Sequence, residues 1–321
     1  MTTPMTTTLP SHLNLGASLY VPATRDNLIE IARGAKLGDV RSLIFCLEDS
    51  VADRDLEMAL DNLAAMLAYM KQHGVAGRGE RMLFARPRNA KVLARMLALD
   101  GIELMQGFVV PKTTADSLPE YLQVLKDANF AGHFSLMPTL ETREAYDMVE
   151  MGRLRALMLQ PEIKATILAL RIGGNDLLNV LSLRRTRNRT IYETPVGSVI
   201  AQLVAHFKPW GFALTSPVCE ILYDHEVLER ELAQDLVYGL CGKTAIHPDQ
   251  VAIIEAFYRP AEQDVRMAEA ILAPDAPAVF NMCGTMCEVA THHRWATDIL
   301  DRSRIYGVYG KDTDSAFRQA A

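Results

Sequence analysis

Short apolar runs that each stop on a charged residue constrain this chain more than any other feature. Residues 42–49 read SLIFCLED, residues 134–142 read FSLMPTLET and residues 168–176 read LALRIGGND, so three runs of strand character end at a carboxylate. Two more, MLFAR and GFVVPK, end at Arg86 and Lys112. In an α/β barrel the C-terminal ends of parallel strands converge on one face, so acids far apart in sequence can meet around one divalent cation. Cations beside those anions mark a place where an anionic substrate would bind.

Eight such runs are found, at residues 17–21, 42–47, 82–86, 107–111, 134–138, 168–173, 211–214 and 238–242. Each is bounded by Gly, Pro or charge, as expected of strands buried on both faces. Helical patterns lie between them, clearest at 56–70 and 196–207; residues 114–125 open with a capping-type Thr and an acid. The alternation predicts an α/β fold, a TIM (β/α)8 barrel with additional C-terminal helices, and a doubly wound open sheet is the alternative. At 321 residues the chain is long for one core but fits such a barrel.

After the eighth run the pattern changes. His247-Pro248 opens a helix through Phe257, a second runs over 260–272, APDAPA at 273–278 reads as a linker, and a terminal helix lies near 289–303. The expected organisation is therefore a disordered lead over 1–14, a barrel with trailing helices over 15–272, and a segment over 273–321 that packs on its own or a neighbouring barrel.

Composition excludes several classes. A hydrophobic fraction of 49% supports a large core, while 33 Lys and Arg against 39 Asp and Glu leave a net charge of −6, with no basic field for nucleic acid. The basic run LRRTRNR at 183–189 reads as a solvated loop or helix face, with the phosphates of a bulky ligand as the alternative partner. Five cysteines without a CxxC pair suit a reducing cytosol, so a cytoplasmic protein is expected. No run approaches the ~18 apolar residues of a membrane span, and residues 1–14 lack the basic and apolar regions of a signal peptide.

Several pieces, in order, carry a family resemblance: YVPATR (20–25), FCLED (45–49), FARPRN (84–89), VVPK (109–112), LET (140–142), GGND (173–176), TSP (215–217), GKTAIHPDQV (242–251) and GTMCE (284–288). Together they resemble the citrate lyase β-subunit group of the HpcH/HpaI aldolase superfamily, TIM-barrel enzymes that make or break carbon–carbon bonds using Mg2+. The match is collinear from about Tyr20 to Leu300. GTMCE and RIYGVYG also resemble a subgroup of that superfamily associated with tellurium-resistance stress gene clusters.

The resemblance implies that Glu141 and Asp176 are the protein ligands of Mg2+, an ion that usually takes one or two carboxylates and keeps several waters. Read without it, Glu141 is an acid in a helix's first turn and Asp176 an N-cap. Arg86 matches the family arginine that pairs with a substrate carboxylate or carbonyl; an ion pair with Glu48 or Asp49 is its other role, and both can hold at once. Glu48 and Asp49 then orient metal-bound water or Arg86. Arg25 and Lys112 add positive charge at the mouth, with a plain surface lysine as the alternative for Lys112. Gly174, Asn175 and Pro217 take substrate-facing positions.

The implied chemistry cleaves or forms a 3-hydroxy acid or its CoA thioester through an enolate stabilised by Mg2+ and Arg86, and it needs an acid or base to move protons. In the family an Asp in a G-x-M-x-D segment of a neighbouring subunit often does this; here Glu288 holds the position. A trimer or hexamer is the matching assembly. Two further departures are Asn175 where an acid is common, and TSPVCE in the seventh-strand segment, with Thr215 in place of an Asp and Glu220 where the second acid falls.

Other constellations are weaker. Cys283, Cys287, His292 and His293 have no common zinc-finger spacing, GGND lacks the Lys-Ser/Thr ending of a P-loop, and no GxGxxG follows the first strand. Two readings of different class stand: a Mg2+-dependent lyase or aldolase of an acidic metabolite, and a divergent barrel that binds a metabolite or nucleotide as a partner in a stress-response complex.

Overall fold

The computed structural model describes residues 11–74 and 81–310. Its wall is made of strands β1 (Ala17–Pro22), β2 (Ser42–Cys46), β3 (Met82–Arg86), β4 (Gly107–Val110), β5 (Ser135–Leu140), β6 (Leu170–Ile172), β7 (Leu214–Thr215) and β8 (Lys243–Ala245). Among the described residues nine helices alternate with them: α1 (Leu28–Ala32), α2 (Leu56–His73), α3 (Ala90–Leu97), α4 (Leu118–Asp127), α5 (Met148–Met158), α6 (Pro161–Lys164), α7 (Gly174–Val180), α8 (Pro195–Phe207) and α9 (His225–Val237). All neighbouring strands run parallel in the order β7-β6-β5-β4-β3-β2-β1-β8. The ring closes where the Ser216 amide donates to Gly242 O at 3.0 Å and the Cys241 amide to Leu214 O at 2.8 Å. This is the predicted TIM barrel.

Every residue of β2 to β6 is buried, which explains why these strands read as unbroken apolar runs. Alternate side chains point to opposite faces. Ile44, Phe84, Val109, Met137 and Ala169 fill the inside of the barrel, while Leu140, Leu170, Ile172 and Leu214 meet α5 and α8 outside through Met151, Leu154, Ile200, Leu203 and Phe207. Burying each such side chain stabilises the fold by about 1.5–3 kcal/mol.

Three elements differ from the sequence expectation. The seventh strand is Leu214–Thr215, sharing only Leu214 with the expected run at 211–214. The eighth strand lies at Lys243–Ala245, after the apolar run at 238–242 rather than within it. That run is the turn out of α9: Tyr238 caps the helix, and Gly239 and Gly242 adopt φ of 63° and 73°. Leu240 and Cys241 are buried without belonging to a strand, so apolarity alone misplaces β8. Helix α4 starts at Leu118 rather than Thr114, because Thr114 and Ser117 exchange side-chain to backbone hydrogen bonds of 2.9 and 3.0 Å in a turn ahead of it. Most of the expected N-terminal lead lies outside the described residues, and His12–Leu15 forms a 3-10 turn capped by Ser11.

The chain divides into two compact units between Val251 and Ala252, within α10 (Pro248–Phe257). In the second unit α11 (Glu262–Leu272) and α12 (Val289–Tyr306) share an apolar core of Ala268, Ile271, Ala296 and Ile299, to which Cys287 contributes. Cys287 comes from a hairpin that the sequence reading passed over, β9 (Val279–Met282) and β10 (Thr285–Glu288). Its two turn residues, Cys283 and Gly284, have φ of 53° and 76°, the left-handed pair of a type I′ turn. Among the described residues no helix is long and apolar enough to cross a membrane.

Candidate active site

The register of β2 on β3 sets Cys46 beside Arg86, the last residue of β3, so the two residues that follow Leu47 stand over the Arg86 guanidinium. Arg86 is 8% exposed, and its Nη2 reaches Glu48 Oε2 at 2.6 Å, Glu141 Oε1 at 3.0 Å and Asp49 Oδ2 at 3.4 Å. The Lys112 ammonium bonds to the Glu48 carboxylate and lies 3.2 Å from Asp49. Lys112 also adopts φ of 47°, a left-handed conformation that costs about 1–2 kcal/mol for an L-residue. In that conformation its amide donates to Glu141 Oε1 at 2.7 Å. The three acids that end β2 and β5 and the two cations that end β3 and β4 thus form one cluster.

Glu141 follows β5 and is buried. Its Oε1 accepts from Arg86 and Lys112, whereas no donor among the described residues reaches Oε2. Gly173 makes room there: a Cβ at this position would lie 2.3 Å from Oε2. Burial pushes the Glu141 carboxyl up to about 7, and repulsion from Asp176 and Glu48 adds to this while Arg86 and the Lys112 amide oppose it. Asp176 sits half-buried in the first turn of α7, and among the described residues it has no hydrogen bond or ion pair. The N-cap of α7 is Gly173, which removes the capping role weighed for Asp176.

Burial likewise raises the Glu48 carboxyl, against the pull of Arg86. Burial also works to raise Asp49, but the hydrogen bond from Glu48 and the charges of Arg86 and Lys112 outweigh it and hold Asp49 below the ordinary carboxylate range. Four carboxylates thus crowd around two cations, and burial with mutual repulsion favours the protonated forms of Glu141 and Glu48, a cost that a divalent cation would relieve. Among the described residues, no donor reaches Glu141 Oε2 or the Asp176 carboxylate. Among the described residues no three His, Cys, Asp or Glu form a metal cage, whereas Mg2+ usually takes one or two carboxylates and keeps several waters.

The remaining expected site residues are less tightly joined. Arg25 is exposed beyond β1, with Nε 3.0 Å from Asn27 Oδ1. Asn175 is exposed at the start of α7. Gly174 packs on Pro217 and Ile191 so closely that a Cβ would lie 2.8 and 2.5 Å from them. Glu288 belongs to the second unit, where its Oε2 accepts from Thr291 Oγ1 at 3.2 Å and its amide donates to His292 Nδ1 at 3.1 Å.

Two charged groups went unread in the sequence. Arg171, 2% exposed, points into the barrel from β6, with its guanidinium 5.5 Å from the Tyr20 ring centroid; Arg86 lies 5.9 Å from the same ring. A lone arginine inside an apolar run was the available signal. Behind the wall, Lys243 of β8 meets Asp235 and Glu231 of α9 at 3.0 and 3.2 Å, and Arg185 binds Glu231 and, at 3.2 Å, Glu220. The basic run at 183–189 is thus not wholly solvated, since the Arg185 side chain is fully buried. Glu220, at the position of the family's second seventh-strand acid, is taken up by Arg185.

Comparison with known proteins places this geometry. The sequence profile of the C–C bond lyase family, of the TIM-barrel fold, matches residues 9–308. The chain belongs to that family. This C–C bond lyase is 25% identical over 261 residues to a (3S)-malyl-CoA thioesterase of Cereibacter sphaeroides, covering 79% of this chain and 81% of the relative. In fold it is similar to a citrate lyase of Burkholderia xenovorans, with a TM-score of 0.71 at 17% identity over 93% of this chain and 94% of the other. It is also similar to the CitE protein of Mycobacterium tuberculosis in complex with magnesium, acetoacetate and coenzyme A, with a TM-score of 0.64 at 20% identity, covering 91% and 99%. The resemblance drawn from sequence to the citrate lyase β-subunit group therefore holds.

Proposed function

We propose that this lyase cleaves or forms a carbon–carbon bond in an acidic metabolite, a 3-hydroxy acid or its CoA thioester, with Mg2+ held by Glu141 and Asp176. The observation that carries the reading is the buried Glu141, whose Oε2 no donor among the described residues reaches and whose carboxyl is repelled by an Asp176 without hydrogen bond or ion pair. The relatives support it: one acts on a malyl-CoA thioester, and one was solved with magnesium, acetoacetate and coenzyme A. Mg2+ bound there would supply Lewis-acid stabilisation of the negative charge of an enolate.

The chain's own residues do the rest. Arg86, already held by three carboxylates, gives up a share of its donors to a substrate oxygen without moving. Glu48 and Asp49 fix Arg86 and Lys112 in place, and Lys112 in turn fixes Glu141 through its amide. Arg25, Gly174, Asn175 and Pro217 border the substrate, and Glu288 moves the proton as acid or base within a homo-oligomer. All five cysteines are free thiols, which suits a cytoplasmic enzyme.

Calorimetric titration of Mg2+ into wild type and Asp176→Ala, with and without oxaloacetate, pyruvate or glyoxylate, tests the proposal. Metal binding that depends on Asp176 and tightens with a keto acid is the expected result. No binding under any of these conditions overturns it in favour of a barrel without turnover.

A further inference from the structure

Arg171 lies one layer below the metal-ligating carboxylates. The pairing of β5 with β6 sets Thr139 beside Arg171, and that of β6 with β7 sets Arg171 beside Thr215. Glu141 follows Thr139 by two residues on the same inward face, so the two layers are separated by roughly 6.6 Å at 3.3 Å per residue.

The layer is polar and its donors are not used up. Arg171 Nη2 donates to Thr244 Oγ1 at 2.5 Å, and Nη1 faces the Met137 thioether at 3.8 Å. A guanidinium carries five N–H donors, and among the described residues no carboxylate lies within ion-pair distance of this one. Thr139 Oγ1 and Thr215 Oγ1, on residues 3% and 1% exposed, have no hydrogen-bond partner. Buried charges are normally paired and buried hydroxyls bonded, so a cation with one bonded and two unbonded hydroxyls around it calls for an anion. Every other fully buried cation here has its carboxylates: Arg185 has Glu231 and Glu220, and Lys243 has Glu231 and Asp235.

The Tyr20 ring joins the two levels. Arg86 lies 5.9 Å and Arg171 5.5 Å from the centroid of that ring, so both guanidiniums have the same aromatic neighbour. We infer that Arg171, with Thr139 and Thr215, is the subsite for a second carboxylate, and that the enzyme's substrate fragment is a dicarboxylic acid bound by one end at the Glu141–Asp176 level and by the other at Arg171. The inference rests on the proposed function and narrows it. A guanidinium fork suits a carboxylate in two parallel hydrogen bonds, and the two threonine hydroxyls fix its plane.

Calorimetry with Mg2+ present, comparing oxaloacetate with pyruvate, reads the subsite directly, because the two acids differ by one carboxylate. Wild type is expected to prefer oxaloacetate by roughly 100-fold, the scale of one buried charge pair. In Arg171→Gln the preference collapses toward unity, and Arg171→Lys, which keeps the charge and loses the fork, lies between. A wild type without preference, or a preference unchanged in Arg171→Lys or Arg171→Gln, overturns the subsite and leaves the metal-dependent lyase standing. Wild type that binds neither acid with Mg2+ overturns both. If Arg171→Gln fails to fold, the wild-type preference and its response to Arg171→Lys decide the matter.

Discussion

The barrel mouth and the network behind β8 are built from the same residue types and have opposite character. Behind the wall, Lys243 and Arg185 are each held by two carboxylates, and the Tyr192 hydroxyl donates to Asp235 while the Ile191 amide donates to Glu231 at 2.7 Å. At the mouth two carboxylates keep open oxygens: Asp176 has no hydrogen bond or ion pair among the described residues, and no donor among them reaches Glu141 Oε2. The pairings behind β8 tie α9 and the loop before α8 to the wall. The mouth instead keeps carboxylate oxygens that no donor among the described residues reaches, as the proposed metal site needs. The difference teaches that burial of charge does not mark a site by itself; the imbalance does.

The largest expected effect separates the two regions by what is lost. Glu141→Ala should reduce Mg2+ affinity at least ~100-fold by calorimetry while the melting temperature moves by less than ~4 °C, since one of several repelling anions is removed. A Glu141→Ala protein that fails to fold would make the mouth a structural network like the other. Lys243→Met should do the reverse, costing about 3–5 kcal/mol in urea unfolding because Asp235 and Glu231 are left buried without their cation. Mg2+ binding by the folded fraction should stay at the wild-type value, and a parallel loss would abolish the distinction drawn here.

A smaller effect is expected from Gly173→Ala. The added Cβ meets Glu141 Oε2 at 2.3 Å and Glu141 Cβ at 2.4 Å and must displace the side chain, so Mg2+ affinity should fall roughly 10-fold with a stability loss of about 1–3 kcal/mol from overpacking. Unchanged affinity would mean that Oε2 is not the ligand.

The smallest lies at the edge of the network behind β8, at Glu193. Its carboxyl is lowered to about 2 by the Thr190 amide first and then by Arg189, with Arg230 adding to the effect. A carboxyl depressed in the folded state contributes stability above its unfolded value near 4.5, and that contribution is lost as pH falls toward 2. Glu193→Gln should therefore shrink the stability difference between pH 7 and pH 3, by less than ~1 kcal/mol because the side chain is 32% exposed. Equal acid sensitivity in the variant would show that the pairings of Glu193 contribute nothing.

The particular elements show where sequence is legible. Strands β1 to β5 could be read because a strand buried on both faces must be apolar throughout, and their charged ends could be read because a strand's last residue faces the mouth wherever the barrel closes. β8 could not, since Lys243 is tolerated in a buried strand only by virtue of Glu231 and Asp235, which lie on α9 and have no local signature beside KTA. The C-terminal hairpin carried a signal, with exposure alternating along β9 around the positive-φ Cys283-Gly284 turn, but its strands are too short for apolarity to announce them.

By itself the sequence determined the barrel, the family and the acids and cations that line its mouth, because these depend on strand periodicity and on which residues end each run. Only the tertiary structure decided which charges balance. Glu141 meets Arg86 across 55 residues, Lys112 meets Glu48 across 64, and Arg171 meets Thr244 across 73. Pairing at such separations is set by strand register and barrel closure, so a chain read along its length reveals the charges and not their partners.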